Sequence, residues 1–167
     1  MLKHSYRVGV LTASDSSFAG TRPDASGPAI CELMEKAGYT VAQKALLPDE
    51  AAQISAQLRG WSESGEIDLI LTTGGTGLAP RDCMPEATLA VATRLVPGIA
   101  EAIRAYSLPI TGRAMLSRAV AVICGRVLII NLPGSPKAVH EALGFVLPQL
   151  PHALDILNQN DGECARP

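Results

Sequence analysis

Short apolar runs alternate with longer amphipathic segments along this chain. Runs rich in Val, Ile and Leu at residues 7–13, 40–47 and 68–72 have the length of β-strands. Between them, residues 28–37 and 50–61 carry apolar side chains at helical spacing. The run at 68–72 is apolar enough for a strand that is covered on both faces. Strands that alternate with helices in this way predict a three-layer α/β domain with a mostly parallel sheet.

The second half of the chain continues the alternation with less regular spacing. We predict helices at residues 86–95 and 97–106, strands at 120–123 and 127–131, and a helical region at 137–157 broken near its two prolines. With 167 residues, one domain can bury about two-thirds of its unfolded surface. We therefore predict a single domain over residues 1–157, followed by a polar tail over 158–167.

Charge and composition argue against several classes of function. The 14 Lys and Arg residues against 16 Asp and Glu give a net charge of -2, and aromatic residues make up only 4% of the chain. A nucleic-acid partner is therefore not expected, because such proteins carry a basic surface or stacking aromatics. No apolar run is long enough for a membrane span, and the first residues lack a signal-peptide core. The four cysteines form no CxxC pair. We expect a cytoplasmic protein.

Polar and glycine-rich segments follow four of the predicted strands. Ser14 and Asp15 follow the first strand, Asp49 follows the second, residues 73–77 (TGGTG) follow the third, and residues 131–137 (NLPGSPK) follow a late strand. In an open parallel sheet, ligands bind beyond the carboxyl ends of the strands. If these strands are parallel, all four segments share one edge of the sheet. That convergence predicts a ligand site more strongly than any single motif does.

The TGGTG segment admits two interpretations. Glycines allow a positive φ and a close approach of the main chain, so the loop amides could hold phosphate oxygens. The segment matches neither the dinucleotide-binding nor the Walker fingerprint. A tight turn without a ligand explains the glycines equally well.

Asp49 and Asp82 are the acidic residues that could hold a magnesium ion at this edge. Mg²⁺ prefers oxygen ligands and is commonly held by one or two carboxylates together with water and substrate phosphates. The alternative for Asp49 is a helix N-cap. The alternatives for Asp82 are a carboxylate within a turn or an ion pair with Arg81.

The remaining polar candidates have simple structural explanations. Ser135 and Pro136 would be the N-cap and first residue of a helix, while Lys137 and the nearby amides could instead face an anion. The Ser117–Arg118 pair and Arg81 are of a kind that most often lies on a solvated surface. The histidines lack metal-ligand spacing, so a transition-metal site is not expected.

Taken together, these segments resemble one known family. The resemblance covers residues 6–157 and rests on five segments in order: SDSSFAGTRPDASGP (14–28), TTGGTGLAPRD (72–82), PEAT (85–88), AMLSRA (114–119) and INLPGSPKAV (130–139). The GGTG motif alone is weak, but the ordered set is highly specific and is similar to the MoaB/Mog family of molybdenum cofactor biosynthesis, most of all to its molybdopterin adenylyltransferases. Two departures are Cys83–Met84, where the family often has Val-Thr, and Ser135, where many relatives have Asn.

The resemblance implies a homotrimeric α/β domain that transfers AMP from Mg-ATP to the phosphate of molybdopterin, releasing pyrophosphate. It also implies hand-over of the product to a molybdate-inserting protein. Asp49 and Asp82 match the family's essential aspartates, for which we expect a role in magnesium and phosphate positioning. The other residues expected to contact molybdopterin or ATP are Ser14, Asp15, Thr73, Gly74, Gly75, Thr76, Gly77, Ser117, Asn131, Pro133, Gly134, Ser135 and Lys137.

Three other functions are compatible with the same sequence. A paralogue could bind molybdopterin as a carrier or scaffold without adenylylating it. The presence of both aspartates argues against this alternative, because binding alone gains little from a magnesium site. A different nucleotide-using enzyme could be built on the same fold. Without the resemblance, the residues support only a small phosphorylated ligand bound by an α/β domain.

Overall fold

A computed structural model describes residues 5–159, which form one mixed sheet packed between helices. Its strands are β1 (Arg7–Ala13), β2 (Thr40–Leu47), β3 (Leu69–Thr73), β4 (Arg94–Leu95), β5 (Ala121–Cys124) and β6 (Val127–Leu132). Their spatial order is β2-β1-β3-β6-β5-β4. Strands β2, β1, β3 and β6 are mutually parallel, whereas β5 runs antiparallel to both β6 and β4.

The helices cover both faces of this sheet. They are α1 (Asp15–Phe18), α2 (Ser26–Lys36), α3 (Ala51–Glu63), α4 (Met84–Leu89), α5 (Pro97–Ser107), α6 (Pro136–Val146) and α7 (Leu150–Leu157), with 3-10 helices at Gly112–Leu116 and Leu147–Gln149. On one face, α3 and α4 bury Leu11 and Ile70 of the sheet. On the other face, α2, α5, α6 and α7 bury Val10 and Leu71. Alternate residues of β1, β3, β5 and β6 thus enter opposite cores, and the predicted three-layer α/β fold is confirmed.

Most predicted elements appear within a few residues of their expected bounds, and β1 and β2 match theirs. The helix predicted over residues 86–95 is wrong in its second half, because α4 ends at Leu89 and Arg94–Leu95 forms the edge strand β4. Pairing with β5, in which Arg94 lies opposite Ile123, decides the conformation there. The break expected near the C-terminal prolines is present at Leu147–Gln149. Most of the predicted tail lies outside the described residues.

The parallel strands bring the four polar segments to one edge of the sheet. The carboxyl ends of β1, β2, β3 and β6 all point to this edge, as the sequence predicted. The chain passes from β1 outward to β2 and then back to β3 on the other side of β1. That reversal opens a crevice between the loops after β1 and β3, where open α/β sheets bind ligands.

No helix within residues 5–159 combines the length and the hydropathy that a bilayer crossing requires.

Candidate active site

The loop after β3 has a main-chain shape that requires glycine. Gly74 and Gly75 have φ angles of 92° and 63°, which L side chains rarely adopt. A Cβ on Gly74 would overlap the carbonyl oxygen of Ala13 at the end of β1, and a Cβ on Gly75 would lie 3.0 Å from Oδ1 of Asp49. The two glycines therefore let this loop lie directly against the segments that follow β1 and β2.

Asp15 and Asp49 join the first two junctions through reciprocal hydrogen bonds. The amide of Asp15 donates to Oδ2 of Asp49 and the amide of Asp49 donates to Oδ1 of Asp15, each at 3.0 Å. The N-cap alternative for Asp49 is wrong, since α3 begins at Ala51 behind Glu50, whose side chain forms no capping bond. The Asp49 carboxylate instead faces Asp15 and the glycine loop, which comprises residues 73–77.

The second oxygen of Asp49 is buried without a hydrogen-bond donor in the described part of the chain. Burial raises the pKa of Asp49, and the charges of Asp15 and Asp82 raise it further, while the bond from the Asp15 amide lowers it. A buried carboxylate oxygen without a donor is costly, and a bound cation would offset that cost. This oxygen is the feature of the site that best fits a metal ion.

Asp82 ends the turn over residues 77–82, which directly follows the glycine loop. Its Oδ2 accepts from the Ala79 amide at 3.0 Å, and its own amide donates to the Ala79 carbonyl at 2.9 Å. A Cβ on Gly77 would come within 2.9 Å of Oδ2 of Asp82. The turn-carboxylate alternative is therefore correct, and the same carboxylate lies near enough to Asp49 to raise its pKa.

Arg81 forms ion pairs with residues other than its neighbour Asp82. Its Nε and Nη2 atoms donate to the two carboxylate oxygens of Asp15, both at 3.0 Å, and Nη2 lies 2.8 Å from Glu50. The guanidinium holds the pKa of Asp15 below its usual range. Because Asp15 is engaged by Arg81 and by the Asp49 amide, it orients Asp49 and has little capacity left for a ligand.

Within residues 5–159, no group of three or more His, Cys, Asp or Glu side chains is placed so that it could hold a metal ion. A cation between Asp49 and Asp82 would therefore need further ligands from water and substrate. Mg²⁺ commonly binds to proteins in this way, through one or two carboxylates and the phosphates of its substrate.

The junction after β6 contacts the glycine loop. The Thr73 hydroxyl donates to the Pro133 carbonyl at 2.6 Å, and a Cβ on Gly134 would lie 3.6 Å from the Cα of Gly74. Ser135 caps α6 by accepting from the Ala138 amide at 3.2 Å, as predicted. The loops after β3 and β6 thus lie side by side.

Asn131, which we expected to contact a ligand, belongs to the core. It is 1% exposed, and its Nδ2 donates to the hydroxyls of Thr72 and Thr88, each at 2.9 Å. Its Oδ1 accepts from the Val120 amide at 3.2 Å. These bonds use the amide group to join β3, β6 and α4. Thr73 is buried as well, and its hydroxyl donates to the Pro133 carbonyl.

Two clefts open on either side of these loops. The acidic cleft has a volume of about 440 Å³ and is lined by Ser14, Arg22, Asp24, Asp49, Gly74 and Gly134, among others. The apolar cleft has a volume of about 410 Å³ and is lined by Leu78, Ile103, Leu116, Ser117, Ala138 and Gly134, among others. Gly134 lines both, so the PGSP loop divides one continuous region of the sheet edge.

Comparison with known proteins identifies the family. A family model described as a probable molybdopterin binding domain matches residues 9–152. This chain belongs to that family.

Individual relatives of this molybdopterin-binding domain agree with the assignment. Gephyrin from Dictyostelium discoideum is 43% identical over 90% of this chain, which spans only 22% of gephyrin's length. A molybdopterin adenylyltransferase from Helicobacter pylori is 39% identical over 92% of this chain and 88% of its own length. The crystal structure of MoaB from Thermus thermophilus is 51% identical, covers 92% of this chain and 97% of its own, and superposes with a TM-score of 0.87.

One polar residue of the molybdopterin-binding domain has a larger role than its sequence context indicated. Arg118, which we assigned to the solvated surface, donates to the carbonyls of Gly77 and Asp82 at 2.7 and 2.8 Å and pairs with Glu86. The surface interpretation is therefore wrong. These contacts join residues more than 30 positions apart, so no local pattern around Arg118 indicated them.

Proposed function

We propose that this protein is a molybdopterin adenylyltransferase, which transfers AMP from ATP to the phosphate of molybdopterin. The observation that carries the proposal is the approach of two carboxylates, Asp49 and Asp82, to one glycine loop, with one Asp49 oxygen left without a donor among residues 5–159. The family membership and the 39% identity to a protein of this name support it.

The proposed reaction needs charge neutralisation more than proton transfer. A phosphate oxygen of molybdopterin attacks the α-phosphorus of ATP, a new P–O bond forms, and the bond from the α-phosphorus to the bridging oxygen breaks to release pyrophosphate. The attacking oxygen is already anionic, so no strong general base is required. The main obstacle is the repulsion between two anions, which preorganised dipoles and cations reduce.

Asp49 and Asp82 would hold the magnesium ion. When bound, magnesium lowers the negative charge on the phosphates and favours attack at phosphorus. The Asp49 oxygen that has no donor among the described residues fits this role, because a cation would take the place of a donor. Asp15 keeps the Asp49 carboxylate in place through their reciprocal amide bonds, and Arg81 in turn keeps Asp15 in place.

The two clefts suggest how the substrates are divided. We propose that the main chain at Gly74–Gly77 holds phosphate oxygens, with Ser14 at the edge of the same cleft. Ser117, Ser135 and Lys137, together with the Pro133–Gly134 main chain, would hold the pterin or its phosphate. The apolar lining beside Ser117 supports a ring system there, and Gly134, shared by both clefts, marks where the two phosphates would meet.

We also propose that the protein is a homotrimer in the cytoplasm and passes its product to a molybdate-inserting protein. Exposed apolar side chains support subunit contacts: the rings of Tyr106 and Phe145 stack with centroids 4.4 Å apart, and Met115 is 67% exposed. Exposed apolar groups that lie close together are typical of protein interfaces. The use of ATP is consistent with a cytoplasmic location.

A single assay tests the proposed activity. The protein is incubated with molybdopterin and ATP, with and without Mg²⁺, and pyrophosphate and adenylylated molybdopterin are measured. We expect both products in equal amounts and only with the metal. Molybdopterin binding without pyrophosphate release would instead indicate a carrier, and ATP turnover that ignores molybdopterin would indicate a different nucleotide-using enzyme.

A further inference from the structure

The guanidinium group of Arg118 binds the turn over residues 77–82, which follows the glycine loop, and the start of α4. Its Nε donates to the Gly77 carbonyl at 2.7 Å, its Nη2 donates to the Asp82 carbonyl at 2.8 Å, and its Nη1 pairs with Glu86 in α4. The main-chain amide of Arg118 donates to the Thr76 carbonyl at 2.9 Å. These bonds connect the segment before β5 to both ends of the 77–82 turn.

Within the turn held by Arg118, Arg81 also bonds outward, to Asp15 and Glu50. Leu78, within it, is 65% exposed. The bonds between Ala79 and Asp82 close the turn internally but do not attach it to the rest of the protein. The two carbonyl contacts of Arg118 hold the main chain at Gly77 and at Asp82 itself, whereas Arg81 attaches the turn only through ion pairs of its exposed side chain.

We infer that Arg118 is a positioning residue for the proposed AMP transfer and holds the main chain that carries the Asp82 carboxylate, so that this carboxylate stays at the glycine loop that Asp49 also contacts. The inference rests on the proposed function, in which these two carboxylates act together. Arg118 also follows Ser117, which lines the apolar cleft, and Arg104 holds this segment by donating to the Ala119 carbonyl at 2.8 Å. One short segment thus contacts the proposed pterin cleft and positions a carboxylate of the proposed metal site.

The contacts explain why the residue is arginine. A guanidinium is planar and presents its donors in a fixed fork, so it can bind two carbonyls and a carboxylate at once. The compact ammonium of lysine keeps the charge opposite Glu86 but cannot span all three acceptors. Lysine at this position should therefore restore only part of the function lost when the guanidinium is removed.

The test compares R118M with R59M. Arg59 is a matched control, because its guanidinium also donates to a main-chain carbonyl, that of Ala90 at 3.2 Å, in a region outside the site. For R118M we expect kcat for AMP transfer to fall about 10- to 100-fold, as is usual when support for a metal ligand is lost, with the KM for molybdopterin within about threefold of wild type. R118K should lie between R118M and wild type, and R59M should behave as wild type.

Hydrogen exchange supplies a readout independent of activity. Without metal or nucleotide, the amides of residues 75–82 should exchange faster in R118M and at the wild-type rate in R59M. If R118M does not fold, R118K is used, and a fall in its kcat with unchanged KM supports the inference.

Two results separate failure of the inference from failure of the proposed function. A wild-type protein that transfers no AMP overturns the proposed function, and the positioning role with it. Wild-type transfer together with unchanged kcat and unchanged loop exchange in the Arg118 variants overturns the inference alone.

Discussion

The acidic and apolar clefts share one edge of the sheet and one residue, Gly134, yet they differ in chemistry. The acidic cleft lies where the parallel strands β1, β2 and β3 end, so it is built from loops and helix starts that present carboxylates and amides. The apolar cleft lies where antiparallel β5 begins, so this part of the edge receives the incoming 3-10 helix Gly112–Leu116 and its apolar side chains. Strand direction thus decides which type of segment lines each cleft.

This difference predicts that substitutions in the two clefts change different kinetic constants. If the acidic cleft handles phosphate charge and the apolar cleft holds the pterin, the first should affect kcat and the second the KM for molybdopterin.

The largest effect is expected for D49N. Losing the carboxylate removes half of the proposed metal site, so the rate of AMP transfer should fall about 10²- to 10³-fold. Pyrophosphate release at saturating molybdopterin and Mg-ATP measures this. E50Q is the matched control, since Glu50 is adjacent, exposed and paired only with Arg81 among the ion pairs described, and it should remain within a few-fold of wild type. Equal losses in D49N and E50Q would remove the special role of Asp49.

Two glycine variants test the packing of the loops after β3 and β6, which lie between the two clefts. G74A should lose about 3 kcal/mol of unfolding free energy, because it combines a positive φ with an overlap against the Ala13 carbonyl. G134A should lose less than about 0.5 kcal/mol, since its Cβ would make an ordinary contact, 3.6 Å from Gly74. Urea denaturation gives both values. A G74A protein as stable as G134A would show that the loop does not lie against β1 as described.

S117A tests the apolar cleft. The loss of the proposed hydrogen bond to the pterin or its phosphate should raise the KM for molybdopterin about tenfold, while the KM for ATP stays unchanged and serves as the internal control. A change confined to the KM for ATP would contradict the proposal that the apolar cleft holds molybdopterin.

A modest effect is expected on the stability of D49N, which should be more stable than wild type at neutral pH. Burial raises the folded-state pKa of Asp49 above its unfolded value. The favourable contribution of Asp49 to the free energy of unfolding is therefore fully present below the unfolded-state pKa, near pH 4. It is lost as the pH rises through the folded-state pKa. We expect D49N and wild type to melt together near pH 4 and D49N to melt about 2–4 °C higher at pH 7, which corresponds to about 1 kcal/mol.

Thermal denaturation at several pH values measures this difference. A D49N protein that melts below wild type at pH 7 would contradict the view that the Asp49 carboxylate is destabilising without a cation.

Much of the fold could be predicted because it follows from local hydrophobic patterns. β1 and β2 have the predicted bounds, and the convergence of Asp49 and Asp82 followed from the parallel direction of their strands. The edge strand β4 could not be predicted, since two residues carry no periodic pattern and only pairing with β5 defines them. The family resemblance was confirmed by the match over residues 9–152.

The site was predicted less completely, because its contacts join distant residues. Nothing near Arg118 in sequence indicates its bond to Gly77, 41 positions away, or the reciprocal bonds between Asp15 and Asp49. Asn131 was misassigned because a polar residue at a strand end can serve a ligand or the core equally well, and only its bonds to Thr72 and Thr88 distinguish the two. The magnesium and substrate contacts stay predictions.

The central claim is that Asp49 and Asp82 jointly hold a divalent ion on the phosphates of ATP. A crystal grown with a non-hydrolysable ATP analogue and Mn²⁺, whose anomalous signal locates the ion, tests it most directly. We predict one anomalous peak about 2.1 Å from a carboxylate oxygen of each aspartate and from a phosphate oxygen. An ordered nucleotide whose metal contacts neither aspartate would contradict the claim.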